Sequence, residues 1–238
     1  MQTISSEHKI GEIVSLNYQA AGVFSKYNID FCCGGGISVA EACKRKNLPA
    51  DVLLEELNLA VRQSSAETLD YASWSVSLLI SWITEKHHRY VRGATDEILA
   101  WSAKVADRHG QTLPVNIRIH ELFKGLVPEL LAHLACEEDR VFPLLLELEA
   151  RQKAGTPIAE ELRNALKAEL AEMENEHDHA GAVMKEINAL TRGYNPPEMA
   201  CTTWRVLWHK LSEFEQDLHK HVHLENNILF RKAGPLLV

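Results

Sequence analysis

Apolar residues recur with a helical period through most of the chain after about residue 74. Glycines and prolines fall mostly between the periodic segments, in clusters at residues 110–114, 155–157 and 193–197. The pattern predicts four helices, near residues 74–107, 116–150, 158–191 and 198–232. Because short loops join these long helices, neighbouring helices are expected to run antiparallel. The sequence therefore predicts an all-α fold, an antiparallel four-helix bundle.

Two prolines, Pro128 and Pro143, fall inside the second predicted helix. A proline in a helix interior removes a backbone hydrogen bond and clashes with the preceding turn. We therefore expect this helix to be bent or interrupted.

The N-terminal part of the chain follows a different pattern, with short helical stretches around the glycine-rich sequence DFCCGGG at residues 30–36. A longer helix is predicted over DVLLEELNLAVRQ, and the following SSAET has the composition of a linker. The chain is therefore expected to form a small helical N-terminal domain at residues 1–66, followed by the bundle at residues 74–236.

One motif, His-x3-Glu-x4-Phe, occurs twice, as His133, Glu137 and Phe142 and again as His221, Glu225 and Phe230. On a helical wheel, the histidine and the glutamate of each copy lie on the apolar stripe of their helix. A buried carboxylate or imidazole is costly unless it is paired or bound to a metal. The two copies therefore indicate an interior site rather than two surface turns.

The other histidines divide by the face on which they lie. His177 shares the apolar face of the third helix, whereas His179 points away from it. In the first helix the periodicity mildly favours His87 over its neighbour His88 as the inward residue. In the last helix His219 and His223 lie on the far side from the apolar stripe, so we expect both to face solvent.

Four helices that each turn a histidine inward, two of them with a glutamate, predict a metal centre, because side chains inside a bundle converge on one volume. Four imidazoles and two carboxylates exceed the four ligands of a structural zinc ion and suit two ions bridged by the glutamates. Iron is the favoured metal and manganese the second. Such a centre supports redox chemistry or the binding of a small diatomic molecule.

Charge and cysteine content narrow the class of protein. The chain has 33 acidic and 25 basic residues and a formal net charge of -8, which argues against a nucleic-acid partner. No apolar run approaches the roughly 18–20 residues that span a bilayer, and the N-terminus lacks the features of a signal peptide. The five cysteines form no regular framework, so we expect reduced thiols and a cytoplasmic protein with no membrane partner.

Three stretches, HLACEED, NEHDHAGAVM and HVHLENNILF, together resemble the hemerythrin-like di-iron bundle. With DFCCGGG near the N-terminus, the whole chain resembles the RIC family of iron-sulfur cluster repair proteins, also called ScdA or YtfE proteins. The resemblance implies two iron ions bridged by carboxylates, with room for an oxo bridge. It implies six metal ligands: His88, His133, Glu137, His177, His221 and Glu225. It selects His88 over His87, because Arg92 follows His88 at the spacing of the family.

The resemblance implies a protein that repairs iron-sulfur clusters damaged by nitrosative or oxidative stress, with iron donation to the damaged proteins as the expected route. The alternative is binding of nitric oxide and its reduction to nitrous oxide at the same centre, so whether the chain is an enzyme stays open. A dioxygen carrier or sensor is less favoured, because its ligand set is expected to be richer in histidine. A purely structural bundle would carry no metal.

The resemblance also implies that Cys32 and Cys33 serve as thiols for redox exchange or iron transfer, and the alternative is two small residues buried at a turn. Exposed adjacent thiols could also link two chains, so a homodimer is considered. Glu129, one turn before His133, is predicted either to accept a hydrogen bond from a metal ligand or to be a solvated charge. Glu138 is expected on the surface.

Overall fold

The computed structural model describes residues 4–63 and 69–234. Within these ranges the regular structure is helical, apart from one isolated bridge between Lys9 and Ser38. The predicted all-α fold with a helical bundle is confirmed. The described residues divide into two compact units, one from Ile80 to His221 and the other made of the residues up to Leu79 together with those from Val222 onward.

The unit that contains the N-terminal residues begins with four helices: α1 (Ile10–Leu16), α2 (Gln19–Lys26), α3 (Val39–Lys46) and α4 (Ala50–Gln63). A 3-10 turn follows at Tyr71–Ser73. Ser38 caps α3, because its side chain accepts a hydrogen bond from the backbone N–H of Glu41 at 3.2 Å. Phe24, Leu53 and Leu57 are fully buried in the core of this unit.

The four predicted bundle segments are present, and three of them contain a π-helical stretch. The first comprises α5 (Val76–Trp82), π1 (Ile83–His88) and α6 (Arg89–His109). The second comprises α7 (Val115–Cys136), π2 (Glu137–Val141) and α8 (Phe142–Ala154). The third is the uninterrupted α9 (Glu160–Leu190). The fourth comprises α10 (Thr202–Leu224), π3 (Glu225–Leu229) and α11 (Phe230–Ala233).

The two prolines of the second segment have different effects. Pro128 lies inside α7, which continues through it, so the expected interruption does not occur there. Pro143 lies in the first turn of α8, directly after π2. A proline is tolerated in a first helical turn because its missing N–H would have no partner within that turn. The predicted interruption is therefore found only near Pro143.

The core of the bundle unit is built from apolar side chains spaced at the predicted helical period. Phe123 of α7 packs edge-on against Phe214 of α10, with ring centroids 5.2 Å apart. Ile98, Leu134 and Leu166 are fully buried. This core brings the histidine-bearing faces of the helices towards one interior volume.

The predicted linker SSAET lies outside the described residues, as do the proposed domain limits at residues 66 and 236. The division into domains at residues 1–66 and 74–236 therefore stays a prediction. No helix among the described residues is both long enough and apolar enough to cross a membrane.

Candidate metal centre

The π-helical stretches lie where the candidate ligands lie. His88 is the last residue of π1, and Glu137 is the first residue of π2. The backbone N–H of Phe142 donates to the carbonyl oxygen of Glu137, which closes a turn one residue wider than an α-helical turn. The same spacing recurs between Glu225 and Phe230 in π3. The Glu-x4-Phe half of the repeated motif is thus the length of one π turn.

Four buried histidines form two close pairs inside the bundle unit. Nε2 of His88 lies 3.1 Å from Nε2 of His221, and Nε2 of His177 lies 3.0 Å from Nε2 of His133. All four side chains are almost completely buried. The two pairs therefore present imidazole nitrogens, which are common metal ligands, to the same interior.

Glu137 lies between the two pairs. Its Oε2 atom is 3.4 Å from Nε2 of His88 and 3.4 Å from Nε2 of His133. The side chain is fully buried, and neither carboxylate oxygen accepts a hydrogen bond from the described residues. Burial of a carboxylate without hydrogen bonds is costly unless a cation compensates its charge. The position and environment of Glu137 thus fit a carboxylate shared by two metal ions.

Two further carboxylates hold the outer nitrogens of the histidines. Oε1 of Glu138 lies 2.7 Å from Nδ1 of His88, and Oε2 of Glu176 lies 2.6 Å from Nδ1 of His133. An acceptor at Nδ1 places the proton there and leaves Nε2 with its lone pair directed inward. This is the tautomer that binds a metal through Nε2.

Glu138 is also held by Arg92, whose two terminal nitrogens lie 2.8 and 3.0 Å from its carboxylate oxygens. Burial tends to raise the pKa of Glu138, but the hydrogen bonds from Arg92 and His88 outweigh it and lower the pKa below its usual value. Glu138 was expected at the surface; its side chain is partly exposed, at 29%, and also contacts His88, a contact that the sequence did not predict. Arg92, which singled out His88 in the sequence, acts through Glu138.

Glu129 does not hold a candidate ligand. Its side chain is 63% exposed and pairs with Nε2 of the exposed His179 at 3.0 Å. The predicted contact between Glu129 and His133 is wrong, and the alternative of a solvated charge is correct. The carboxylate that contacts His133 comes from the neighbouring α9 instead, at a position that the spacing along α7 could not indicate.

His87, which the periodicity favoured, is also buried but faces a different partner. Its Nδ1 atom lies 3.0 Å from Oδ1 of Asp217, and its ring stacks on that of His221 at a centroid distance of 5.7 Å. His88 alone of this adjacent pair lies within reach of Glu137. Both residues lie in π1, and both are buried.

Glu225 belongs to the other compact unit and is fully buried at the start of π3. In the sequence it follows His221 by four residues, as Glu137 follows His133. The five remaining candidates, His88, His133, Glu137, His177 and His221, lie together in the bundle unit.

The prediction that His223 faces solvent is wrong, since its side chain is only 1% exposed. Its ring lies 6.0 Å from those of Tyr18 and Phe31, both in the same compact unit. A helical wheel considers one helix alone, so it could not predict that Tyr18 and Phe31 pack near His223. His219 is partly exposed.

The thiol pair lies in a turn of the N-terminal unit. The sulfur atoms of Cys32 and Cys33 are 3.8 Å apart, Cys32 is buried and Cys33 is half-buried. The hydrogen bond with Cys33 and burial raise the pKa of the Cys32 thiol well above its usual value. Nδ2 of Asn227 donates to the carbonyl oxygen of Cys32 at 2.8 Å and fixes the turn.

Two comparisons with protein families agree with this architecture. Residues 79–233 match the family described as the hemerythrin HHE cation binding domain. Residues 6–61 match the ScdA_N family, described as a domain of unknown function, DUF542. The chain is thus a hemerythrin-like protein, and its cation-binding domain contains two histidine and glutamate clusters that could hold metal ions.

Its curated relatives match over nearly the full length. The iron-sulfur cluster repair protein ScdA of Staphylococcus haemolyticus is 32% identical over 231 residues, or 96% of this chain and 99% of the relative. ScdA of Staphylococcus epidermidis is 30% identical over 97% of this chain and 100% of the relative. The iron-sulfur cluster repair protein YtfE of Escherichia coli O81 is 31% identical over 95% of this chain and 96% of the relative. The chain belongs to the ScdA/YtfE family, as its motifs predicted.

Proposed function

We propose that this protein repairs iron-sulfur clusters damaged by oxidative or nitrosative stress, and that it does so by donating iron. Full-length relatives at 30–32% identity carry the name of iron-sulfur cluster repair protein. Damaged iron-sulfur proteins are accordingly its proposed targets. The iron is cargo in this scheme, so the chain has to hold it and also release it.

The proposed ligands of two iron ions are His88, His133, Glu137, His177, His221 and Glu225. The observation that carries the proposal is the position of Glu137, whose buried Oε2 atom lies 3.4 Å from an Nε2 atom of each histidine pair. Glu225 is included because it is fully buried and begins a π turn in the same motif position as Glu137. Two bound irons would supply redox-active ions with exchangeable positions.

The residues of the centre favour release as well as binding. Imidazole and carboxylate ligands lack the strong preference of thiolates for soft metals, and the histidine and glutamate clusters contain no cysteine. Glu138 and Glu176 hold Nδ1 of their histidines, so the inward Nε2 atoms stay oriented when the iron leaves. The orientation of these two ligand histidines therefore does not depend on bound iron.

We propose that Cys32 and Cys33 take part by redox exchange or by passing iron to the target. Cys33 is half-buried and lies beside the exposed Asp30, so an incoming protein could reach this turn. The alternative function, reduction of nitric oxide to nitrous oxide, would use the same histidine and glutamate centre. The experiment described next distinguishes this function from iron donation.

The test measures iron per chain before and after incubation with a 4Fe–4S enzyme damaged by nitric oxide, together with recovery of that enzyme's activity. Iron donation predicts about two irons per chain at the start and their loss as activity returns. A His133→Ala/His177→Ala variant should carry less iron and restore less activity, whereas Glu129→Gln, altered at the surface, should match the unmodified chain. Iron that stays bound while nitrous oxide accumulates under a reductant would overturn iron donation in favour of catalysis.

A further inference from the structure

An exposed thiol and an imidazole meet at one end of the bundle unit. Sγ of Cys201 lies 3.4 Å from Nε2 of His109, which is 92 positions away in the chain. We propose that Cys201 is a reactive thiol activated by His109, and that small disulfides such as glutathione disulfide modify it reversibly. This modification site goes beyond the proposed repair function, because it uses neither the proposed metal ligands nor the pair of adjacent cysteines.

The ends of two helices bring the thiol and the imidazole together. His109 is the last residue of α6. Cys201 directly precedes α10, where its carbonyl oxygen accepts a hydrogen bond from the backbone N–H of Arg205 at 3.0 Å. The N-terminal end of a helix carries a partial positive charge, which stabilises a thiolate, and the C-terminal end carries a partial negative charge, which stabilises a protonated imidazole. Both helix ends therefore favour transfer of the thiol proton from Cys201 to His109.

Neighbouring side chains hold both partners in place. The ring of His109 stacks on that of the fully buried Trp204, with ring centroids 4.9 Å apart. The guanidinium group of Arg205 donates to the carbonyl oxygen of Glu198 at 2.8 Å, which fixes the segment that leads into Cys201. The contact between the thiol and the imidazole is thus supported by ordered neighbours on both sides.

Cys201 is open to a reagent in solution. All five cysteines are free and lie among the described residues, and Cys201 is exposed, whereas the other four are buried or half-buried. A small disulfide can therefore reach this sulfur atom without any opening of the fold. His221 follows Cys201 by 20 residues, which is about 30 Å along α10. Modification of Cys201 therefore displaces none of the proposed metal ligands.

The proposed reaction is a thiol–disulfide exchange. His109 accepts the thiol proton, and the thiolate of Cys201 attacks one sulfur atom of glutathione disulfide. A new sulfur–sulfur bond joins Cys201 to one glutathione, the disulfide bond of the reagent breaks, and the second glutathione leaves as a thiolate that takes the proton back from the imidazolium. Cys201 is oxidised and the released glutathione is reduced, so an excess of glutathione reverses the reaction.

The experiment incubates the full-length, reduced chain with glutathione disulfide, and peptide mass spectrometry follows the fraction of each cysteine that forms the mixed disulfide. We expect Cys201 to be modified and dithiothreitol to reverse the modification. The rate at Cys201 should fall about tenfold in His109→Gln, because glutamine cannot accept the thiol proton. The matched control is His209→Gln, which alters a 72% exposed histidine of α10 and should keep the rate of the unmodified chain.

A second measurement uses the unmodified chain alone, so it does not depend on the folding of a variant. Denaturant should slow the modification of Cys201, because unfolding separates it from His109, and should speed that of the buried Cys43. Three results would overturn the proposal: no mixed disulfide at Cys201, the same rate in His109→Gln as in the unmodified chain, or a rate at Cys201 that denaturant leaves unchanged or raises.

Discussion

Nε2 of His88 lies 3.1 Å from Nε2 of His221 in the interior of the bundle unit. The sequence neighbour of His88, His87, is buried just as deeply but contacts Asp217 through Nδ1. Both rings therefore lie next to His221, but Nδ1 of His87 contacts Asp217, whereas Nδ1 of His88 contacts Glu138. The difference can be tested directly.

Replacing His88 by Gln is expected to lower the iron content of the purified chain by half or more, because one proposed ligand is lost. Replacing His87 by Gln should leave the iron content near that of the unmodified chain. It should lower the free energy of unfolding by about 1–3 kcal/mol, since Asp217 loses a hydrogen-bond partner. Elemental analysis and denaturant unfolding measure the two effects. Equal iron loss in both variants would contradict the assignment of His88.

Replacing Glu176 by Gln should weaken iron binding about 10–100-fold, the usual effect of losing a carboxylate that holds a ligand histidine. The amide of the glutamine can still contact Nδ1 of His133, but it lacks the negative charge of the carboxylate, which makes the imidazole a stronger metal ligand. The matched control is Glu129→Gln, because Glu129 is exposed and pairs with His179 instead. Competition with an iron chelator gives the relative affinities. An identical response of the two variants would show that the contact between Glu176 and His133 does not support the centre.

Gly35 and Gly36 are adjacent but differ in the space around them. A Cβ atom on Gly35 would lie 2.6 Å from the carbonyl oxygen of Phe31 and 3.0 Å from Oδ1 of Asn227, whereas one on Gly36 would meet nothing within 4 Å. Gly35→Ala is therefore expected to destabilise the protein by about 1–3 kcal/mol, as overpacking does. Gly36→Ala should change stability much less. Denaturant unfolding compares the stabilities of the two variants. Similar stabilities would mean that the backbone of the turn shifts at little cost to accommodate the Cβ atom at residue 35.

Pro128 lies in the interior of α7 on its exposed side. Pro128→Ala should stabilise the protein by about 1–3 kcal/mol, because a proline inside a helix costs roughly 3 kcal/mol and the greater freedom of the unfolded alanine chain offsets part of the gain. Pro143→Ala is the control, since Pro143 lies in the first turn of α8, where proline is tolerated. Chemical denaturation measures the free energy of unfolding of both variants. A loss of stability in Pro128→Ala would show that the proline is favourable in α7.

Much of the architecture could be predicted because apolar periodicity reports which face of a helix is buried. The four bundle segments and the inward positions of His133, Glu137, His177 and His221 all follow from it. Interactions between helices could not be predicted in the same way. Glu176 reaches His133 from another helix, and no pattern in either helix alone records that contact.

The sequence by itself determined the bundle, the inward histidines and the repeated His-x3-Glu-x4-Phe motif, since these depend on the order of apolar and polar residues along each helix. Only the tertiary structure decided where the helices contain π-helical turns and which side chains from distant segments pack on the buried histidines. The helical wheel assumes a constant α-helical turn, whereas Glu137 to Phe142 forms a π turn. His87 and His88 also lie in a π-helical stretch, and both are buried there. His223 is buried because Tyr18 and Phe31, distant in sequence, pack on its ring. A π turn is intrinsically unfavourable and persists where surrounding contacts support it, so the sequence of one helix cannot determine it.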